Sequence, residues 1–317
     1  MTSKSTTCSV TKIGKPLEIE QIVINWHVTE ACNFKCSFCY AKWNDKHDNK
    51  ELIHHPKKAI RLLRELYKFF SPDNLDNPLI KRMQWKSVRI NFAGGETLLY
   101  KNNIHELINE AKKIGFDVSI ITNGSTLTPI LINKLAPNLS ILGVSLDSRM
   151  IATNKLIGRI DRKGNQINIV DLVSCLELAR EINPKMEVKI NTVINKLNFD
   201  EDMNSLIKTI NPNKWKALQV LPVITNDLQI TSKQFQLFIE NHKQHKTIMS
   251  LEDNERMQGS YLMIDPLGRF FQNSKELESD YTYSKTILSE GVGSALNDIE
   301  FSIEKFFSRY INAEEEK

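Results

Sequence analysis

Short runs in which apolar and polar residues alternate recur along the chain, with stretches of helical periodicity between them. In QIVINWHVT, Ile22, Ile24, Trp26 and Val28 alternate with Asn25, His27 and Thr29. In SVRINFA, Val88, Ile90 and Phe92 alternate with Arg89, Asn91 and Ala93. A period of two is that of a strand with two unlike faces. The pattern predicts strands near residues 21–29, 87–93, 117–122, 139–146, 186–194 and 214–221, with helices near 57–71, 103–114, 165–182 and 198–209. Repeated strand-helix units predict a parallel sheet, and six of them a partial (β/α)6 TIM-type barrel with its site at the C-terminal ends of the strands. Beyond residue 222 the pattern changes: a helix near 232–245 precedes the hairpin-like SYLMIDPLGRFFQ, turning at Pro266, Leu267 and Gly268. The expected organisation is an α/β protein with an N-terminal tail (1–20), the barrel (21–222) and an α+β extension (223–317) over the barrel mouth.

The faces of the strands carry chemistry. Lys189, Asn191 and Val193 oppose Val188, Ile190 and Thr192, while Lys214 and Lys216 oppose Trp215 and Ala217. Outward faces lie under helices and are apolar, so the polar set faces inward. An unpaired buried cation costs several kcal/mol, so Asn25, Arg89, Lys189, Asn191, Lys214 and Lys216 aimed at one interior imply a polyanionic ligand such as a triphosphate. The bland alternative leaves some of these lysines snorkelling at strand ends.

Five cysteines occur, and three of them, Cys32, Cys36 and Cys39, form a Cys-x3-Cys-x2-Cys run directly after the first strand. Three clustered thiolates suit a four-iron cluster with one iron left open, whereas zinc sites usually use paired knuckles, and no second pair exists here. A three-cysteine zinc site completed by a histidine is the competing reading. Cys8 and Cys175 are expected bystanders. An odd cysteine count without a signal peptide argues against a disulfide framework.

The cysteine run, with Phe38 before its last member, and the later Gly94-Gly95-Glu96 resemble the radical S-adenosylmethionine (SAM) enzymes. Asn-x-His-x-Thr running into CNFKCSFCY, then RINFAGGE, ITNGS, SLDS, NKLIGR, KINTVINKLNFDEDM, INPNKWKALQVLP and SYLMID, resembles the viperin family and its prokaryotic relatives over most of the chain.

That resemblance implies a [4Fe-4S] cluster on Cys32, Cys36 and Cys39, and a SAM site formed by Phe38, Gly94, Gly95, Glu96, Asn123, Ser145 and Arg159. The glycines would let backbone approach the SAM methionine group, and Glu96 would accept from its amine. Arg159 would meet its carboxylate. Asn25, Arg89, Lys189, Asn191, Lys214 and Lys216 would surround a nucleoside triphosphate, with Tyr261 and Lys189 as catalytic residues and Tyr261 protonating the ribose. The implied product is a 3′-deoxy-3′,4′-didehydro nucleotide that terminates viral RNA chains. CTP is the default substrate, with UTP and GTP open. The extension would help hold the nucleotide, and a flavodoxin- or ferredoxin-type protein would donate electrons.

The chain departs from vertebrate members in places. Ala93 stands where they have serine, Arg89 and Lys214 exchange lysine and arginine, and the match fades after about residue 290. A radical SAM enzyme on another small-molecule or peptide substrate is the enzymatic alternative. Peptide maturases, methylthiotransferases and molybdenum-cofactor-type cyclases usually carry further cysteines, however, and only Cys8 and Cys175 are left over here. A zinc-stabilised RNA-binding module is the non-enzymatic alternative. The 41% hydrophobic residues can build a large core, and a net charge of +4, from 42 basic and 38 acidic residues, does not call for nucleic acid. No apolar run is long enough to span a membrane. A cytoplasmic monomer is expected.

Overall fold

The computed structural model describes residues 15–39, 50–222, 225–257, 259–273 and 281–315. Cys8 lies outside the described residues. Six strands, β1 (Leu17–His27), β2 (Met83–Ala93), β3 (Asp117–Thr122), β4 (Ile141–Ser145), β5 (Glu187–Ile194) and β6 (Lys214–Gln219), pair in parallel and in chain order. Between them run α1 (Pro56–Phe70), α2 (Lys101–Ile114), α3 (Pro129–Leu135), α4 (Ile151–Ile157), α5 (Ile169–Ile182) and α6 (Asn204–Ile210). This is the expected partial barrel. The periodicity misses α3 and α4, each two turns long, and α6, equally short, begins at Asn204 rather than near residue 198. Helix α5 begins later than expected because the Asn168 side chain accepts from Val170 N at 3.0 Å and so caps it. Strand β1 begins earlier than expected, at Leu17, pairing with Met83 across a longer β2.

The extension does not form a separate layer. Helix α7 (Ser232–Asn241) leads to β7 (Met249–Glu252), which adds in parallel beside β6. After α8 (Asn254–Met257), β8 (Leu262–Ile264) adds to the other edge, in parallel with β1. Strands β9 (Arg269–Asn273) and β10 (Tyr281–Thr286) then continue that edge antiparallel, giving one ten-stranded sheet. The expected turn between β8 and β9 is present: Asp265 Oδ1 accepts from Leu267 N at 3.0 Å and from Arg269 N at 2.8 Å. Helices α9 (Ile287–Glu290), α10 (Val292–Asn297) and α11 (Ile303–Glu315) close the chain.

Alternation along the strands separates core from cavity. Ile22, Ile24, Trp26, Ile90, Phe92, Val188, Ile190 and Trp215 are fully buried on the helix-covered face, where Trp26 and Phe92 rings lie 5.8 Å apart. Helix α1 packs Leu62, Leu63, Leu66 and Phe70 into the same core. Each such aliphatic or Phe side chain contributes about 1.5–3 kcal/mol when removed from water. The opposite face is left to line the barrel interior.

Candidate active site

The loop carrying the three cysteines leaves β1 and is gripped from both sides. On one side Gly95 N donates to Thr29 O at 2.7 Å and Glu96 N to Ala31 O at 2.8 Å. On the other, Lys35 N donates to Gly158 O at 3.1 Å and Ser37 N to Ile157 O at 2.9 Å. A Cβ on Gly95 would lie 2.0 Å from Ala31 O, and one on Gly158 2.1 Å from Lys35 O. At the Gly-Gly pair the space a side chain would need is filled by the cysteine loop itself. Gly158 at the end of α4, with φ +89°, does the same work from the opposite wall.

Cys32, Cys36 and Cys39 all line one cavity of about 300 Å³ at the C-terminal ends of the strands. Burial pushes the Cys32 thiol up to about 11 and the Cys36 thiol up to about 12, and the neighbouring sulfurs add to both shifts. Thiolates there need a cation to face. Among the described residues no three His, Cys, Asp or Glu side chains are gathered to hold a metal ion. A four-iron cluster takes one thiolate at each of three irons, and three thiols lining one cavity suit it.

Next to the thiols, the cavity is lined by Phe38, Gly94, Gly95, Asn123, Ser145 and Arg159. Asn123 Nδ2 donates to Asn33 Oδ1 at 2.8 Å and reaches Cys32 Sγ at 4.0 Å. Arg159 pairs through Nε with Asp147 and lies 5.9 Å above the Phe38 ring. Burial works against its charge, but Asp147 and the nearby cysteines outweigh that, and its pKa is raised. Glu96 departs from expectation, since it is fully buried and does not line the cavity. Its carboxylate accepts from Thr122 Oγ1 at 2.5 Å, Leu98 N at 3.0 Å and Asn123 N at 2.7 Å. Burial raises its pKa although all three donors oppose the shift. In this arrangement Glu96 braces the Thr122–Asn123 turn.

The other end of the cavity carries Asn25, Asn91, Lys189, Asn191, Lys216 and Tyr261. Asn91 Nδ2 donates to Asn25 Oδ1 at 2.9 Å and Ser119 Oγ to Asn91 Oδ1 at 2.8 Å, which fixes the amides. Asn191 Oδ1 is buried and has no hydrogen-bond partner among the described residues. Burial, then Lys216, depress the Lys189 ammonium well below its ordinary range. Lys216 is lowered to about 8 by burial, with Glu252 opposing the shift. Arg89 is not on the cavity wall, but its charge reaches both lysines. Lys214 corrects the sequence expectation. It is the first residue of β6, about half exposed, and its Nζ meets Glu187 Oε2 at 2.6 Å, away from the cavity. It shares a face with Lys216 but not a height in the barrel.

Two residues that the sequence did not single out complete this end. Glu252, at the end of β7, pairs with Lys216, accepts from the Tyr261 hydroxyl and accepts from Arg309 Nε at 3.2 Å. The Arg309 guanidinium lies 3.6 Å from the Tyr261 ring centroid and donates to Ser260 O at 2.8 Å. Nothing in their sequence surroundings distinguishes them from surface charges. Burial opposes the charge of Glu252, yet Lys216 and Arg309 hold its pKa near 2.

The Radical SAM superfamily model matches residues 26–210. The chain is 40% identical to a protein named S-adenosylmethionine-dependent nucleotide dehydratase from Pseudoalteromonas ulvae, over 92% of this chain and 94% of that one. A protein of the same name from Psychrobacter lutiphocae is 40% identical over 93% of this chain and 96% of its own. Among solved structures, Streptococcus suis SuiB bound to S-adenosylmethionine superposes with a TM-score of 0.61 at 13% identity, covering 91% of this chain and 67% of SuiB. That likeness concerns the fold. Three thiols and a cation-lined cavity at the mouth of a partial barrel agree with these matches: the chain belongs to the radical SAM superfamily and, within it, to the viperin-like SAM-dependent nucleotide dehydratases.

Proposed function

We propose that the enzyme dehydrates a ribonucleoside triphosphate, CTP by preference with UTP and GTP as alternatives, to its 3′-deoxy-3′,4′-didehydro analogue, and that this product serves antiviral (phage) defence. The observation that carries the triphosphate is the pair of buried ammonium groups, Lys189 and Lys216, on the wall of the cavity that also holds the three thiols. A ligand with about four negative charges restores the charge that burial takes from these lysines.

Cys32, Cys36 and Cys39 would hold the four-iron cluster, while Asn123, Ser145 and Arg159 line the adjoining space for SAM. Bound there, cluster and SAM would supply a 5′-deoxyadenosyl radical for removal of the ribose 4′ hydrogen. Lys189, Lys216 and Asn191 hold the phosphate chain and so set the distance between ribose and SAM. Tyr261, also on the cavity wall, gives its proton to the 3′ hydroxyl as it departs as water, and a flavodoxin- or ferredoxin-type donor supplies the one electron that completes the 3′,4′ double bond. The segment after residue 222 contributes Met257 and Tyr261 to the wall and so takes part in nucleotide binding. The protein works as a cytoplasmic monomer in this reading. Among the described residues no helix is long and apolar enough to cross a membrane.

The test is anaerobic incubation of the iron-reconstituted protein with SAM, a reductant and each of the four ribonucleoside triphosphates. Nucleotide-dependent formation of 5′-deoxyadenosine, with matching loss of water from one triphosphate, is expected. Equal turnover of the nucleoside and its triphosphate would overturn the assignment of the lysines.

A further inference from the structure

A single carboxylate joins the substrate cations to the proposed proton donor, and a helix from the far end of the chain holds it there. Glu252 receives Lys216 and Arg309 and accepts the Tyr261 hydroxyl hydrogen bond. Lys216 Nζ donates to Tyr261 Oη at 2.8 Å. Arg309 covers the ring at 3.6 Å and is anchored to Ser260 O, the residue before the tyrosine, at 2.8 Å. The four side chains come from β6, β7, the residue just before β8, and α11, so the cluster exists only in the folded chain. Lys216 is on the cavity wall and Glu252 and Arg309 are not, which places the pair behind the tyrosine, away from the substrate space.

We propose that Glu252 and Arg309 are positioning residues for Tyr261: Arg309 holds the ring against the cavity wall, Glu252 fixes the hydroxyl, and α11 enters the site through this contact. The inference rests on the proposed role of Tyr261 as proton donor. With ring and oxygen held, only the hydroxyl hydrogen has to turn from Glu252 toward the ribose. The O–H bond of Tyr261 breaks as its proton passes to the 3′ hydroxyl oxygen, whose C–O bond breaks to release water, and one electron from the donor completes the 3′,4′ double bond. The phenolate left behind faces the Lys216 ammonium and the Arg309 guanidinium until solvent returns a proton. The charge of Arg89 reaches Lys216, and Lys189 interacts with Lys216, Glu252 and Arg309 of this cluster.

Two variants separate positioning from general damage. In Glu252→Gln the carboxylate no longer competes for Lys216, so calorimetry on the cluster-free protein should find triphosphate bound at least as tightly as by the native chain. In the loaded enzyme, dehydrated nucleotide formed per 5′-deoxyadenosine should fall about ten- to hundredfold. Arg309→Met should uncouple the two products in the same way, and Arg309→Lys should restore part of the coupling. Tyr261→Phe is the reference. If Tyr261→Phe uncouples the products while Glu252→Gln and Arg309→Met do not, the positioning proposal is overturned and the role of Tyr261 stands. If Tyr261→Phe itself leaves coupling intact, the proton-donor reading fails and the proposal falls with it. Loss of triphosphate affinity in Glu252→Gln also counts against the proposal, because a scaffold defect weakens binding and coupling together.

Discussion

The amide of Gly95 donates to Thr29 O at 2.7 Å, and a Cβ on Gly95 would stand 2.0 Å from Ala31 O. The end of β2 and the start of the cysteine loop therefore share a seam with no room for a side chain. Gly95→Ala forces backbone apart at the point from which Cys32 is presented. Overpacking of this kind costs about 1–3 kcal/mol. The variant should melt earlier and take up less iron per folded chain on reconstitution. Gly164→Ala, where nothing lies within 4 Å but φ is +82°, should cost about 1–2 kcal/mol of stability through its backbone and leave iron uptake per folded chain unchanged.

Lys189 and Lys214 occupy register-paired positions of β5 and β6 but face different surroundings. Lys189→Ala should weaken triphosphate binding by about 1.5–3 kcal/mol, the usual range for a hydrogen bond to a charged group. Lys214→Ala, which breaks only an exposed pair with Glu187, should change affinity by less than about 1 kcal/mol. Titration calorimetry with a triphosphate on the cluster-free protein reads both, and equal losses would undo the inward assignment of Lys189.

The affinity for triphosphate should depend on pH through Lys216. Burial lowers its pKa to about 8 in the free protein, and a bound polyanion raises it again, so the ammonium is the binding form. Its contribution is complete below about pH 8 and declines above it, by up to about tenfold per pH unit until the pKa of the complex is reached. The depressed Lys189 acts in the same direction. Calorimetry in buffers of different ionisation enthalpy should detect proton uptake on binding. In Lys216→Arg the Lys216 part of that uptake should vanish, because a guanidinium stays charged throughout. A pH-independent affinity across this range would contradict the buried-lysine picture.

Cys36 lines the cavity whereas Cys175 is buried inside α5. Cys36→Ala should lose most reconstituted iron and all SAM cleavage, and Cys175→Ala should keep both. Iron and sulfide analysis with ultraviolet-visible spectra distinguishes them. Iron held equally by both variants would remove Cys36 from the ligand set.

Much of the molecule is legible one strand at a time. Strict alternation in β1, β2 and β5 determines which side chains meet the helices and which meet the interior, because a strand has only two faces. The spacing of Cys32, Cys36 and Cys39 is equally local, since one loop carries all three. Height along the barrel is not local. Lys214 and Lys216 share a face, yet one is spent on Glu187 outside and the other on the cavity wall. Which of the two applies depends on where β6 enters the sheet. The motif points Glu96 at a cofactor, and only the structure shows its carboxylate also accepting from Leu98 N, Thr122 Oγ1 and Asn123 N.

The sequence by itself determined the barrel, the thiol cluster and the cationic interior, all set by short-range period and spacing. Tertiary structure alone decided that β7 and β8 extend opposite edges of one sheet, and that Glu252 and Arg309, 57 residues apart, close on Tyr261. An isolated Glu or Arg has no periodicity to betray its destination. Only the packing of α11 against the barrel end brings the two charges together and withdraws them from water, and that burial is what turns an ordinary pair into part of the site.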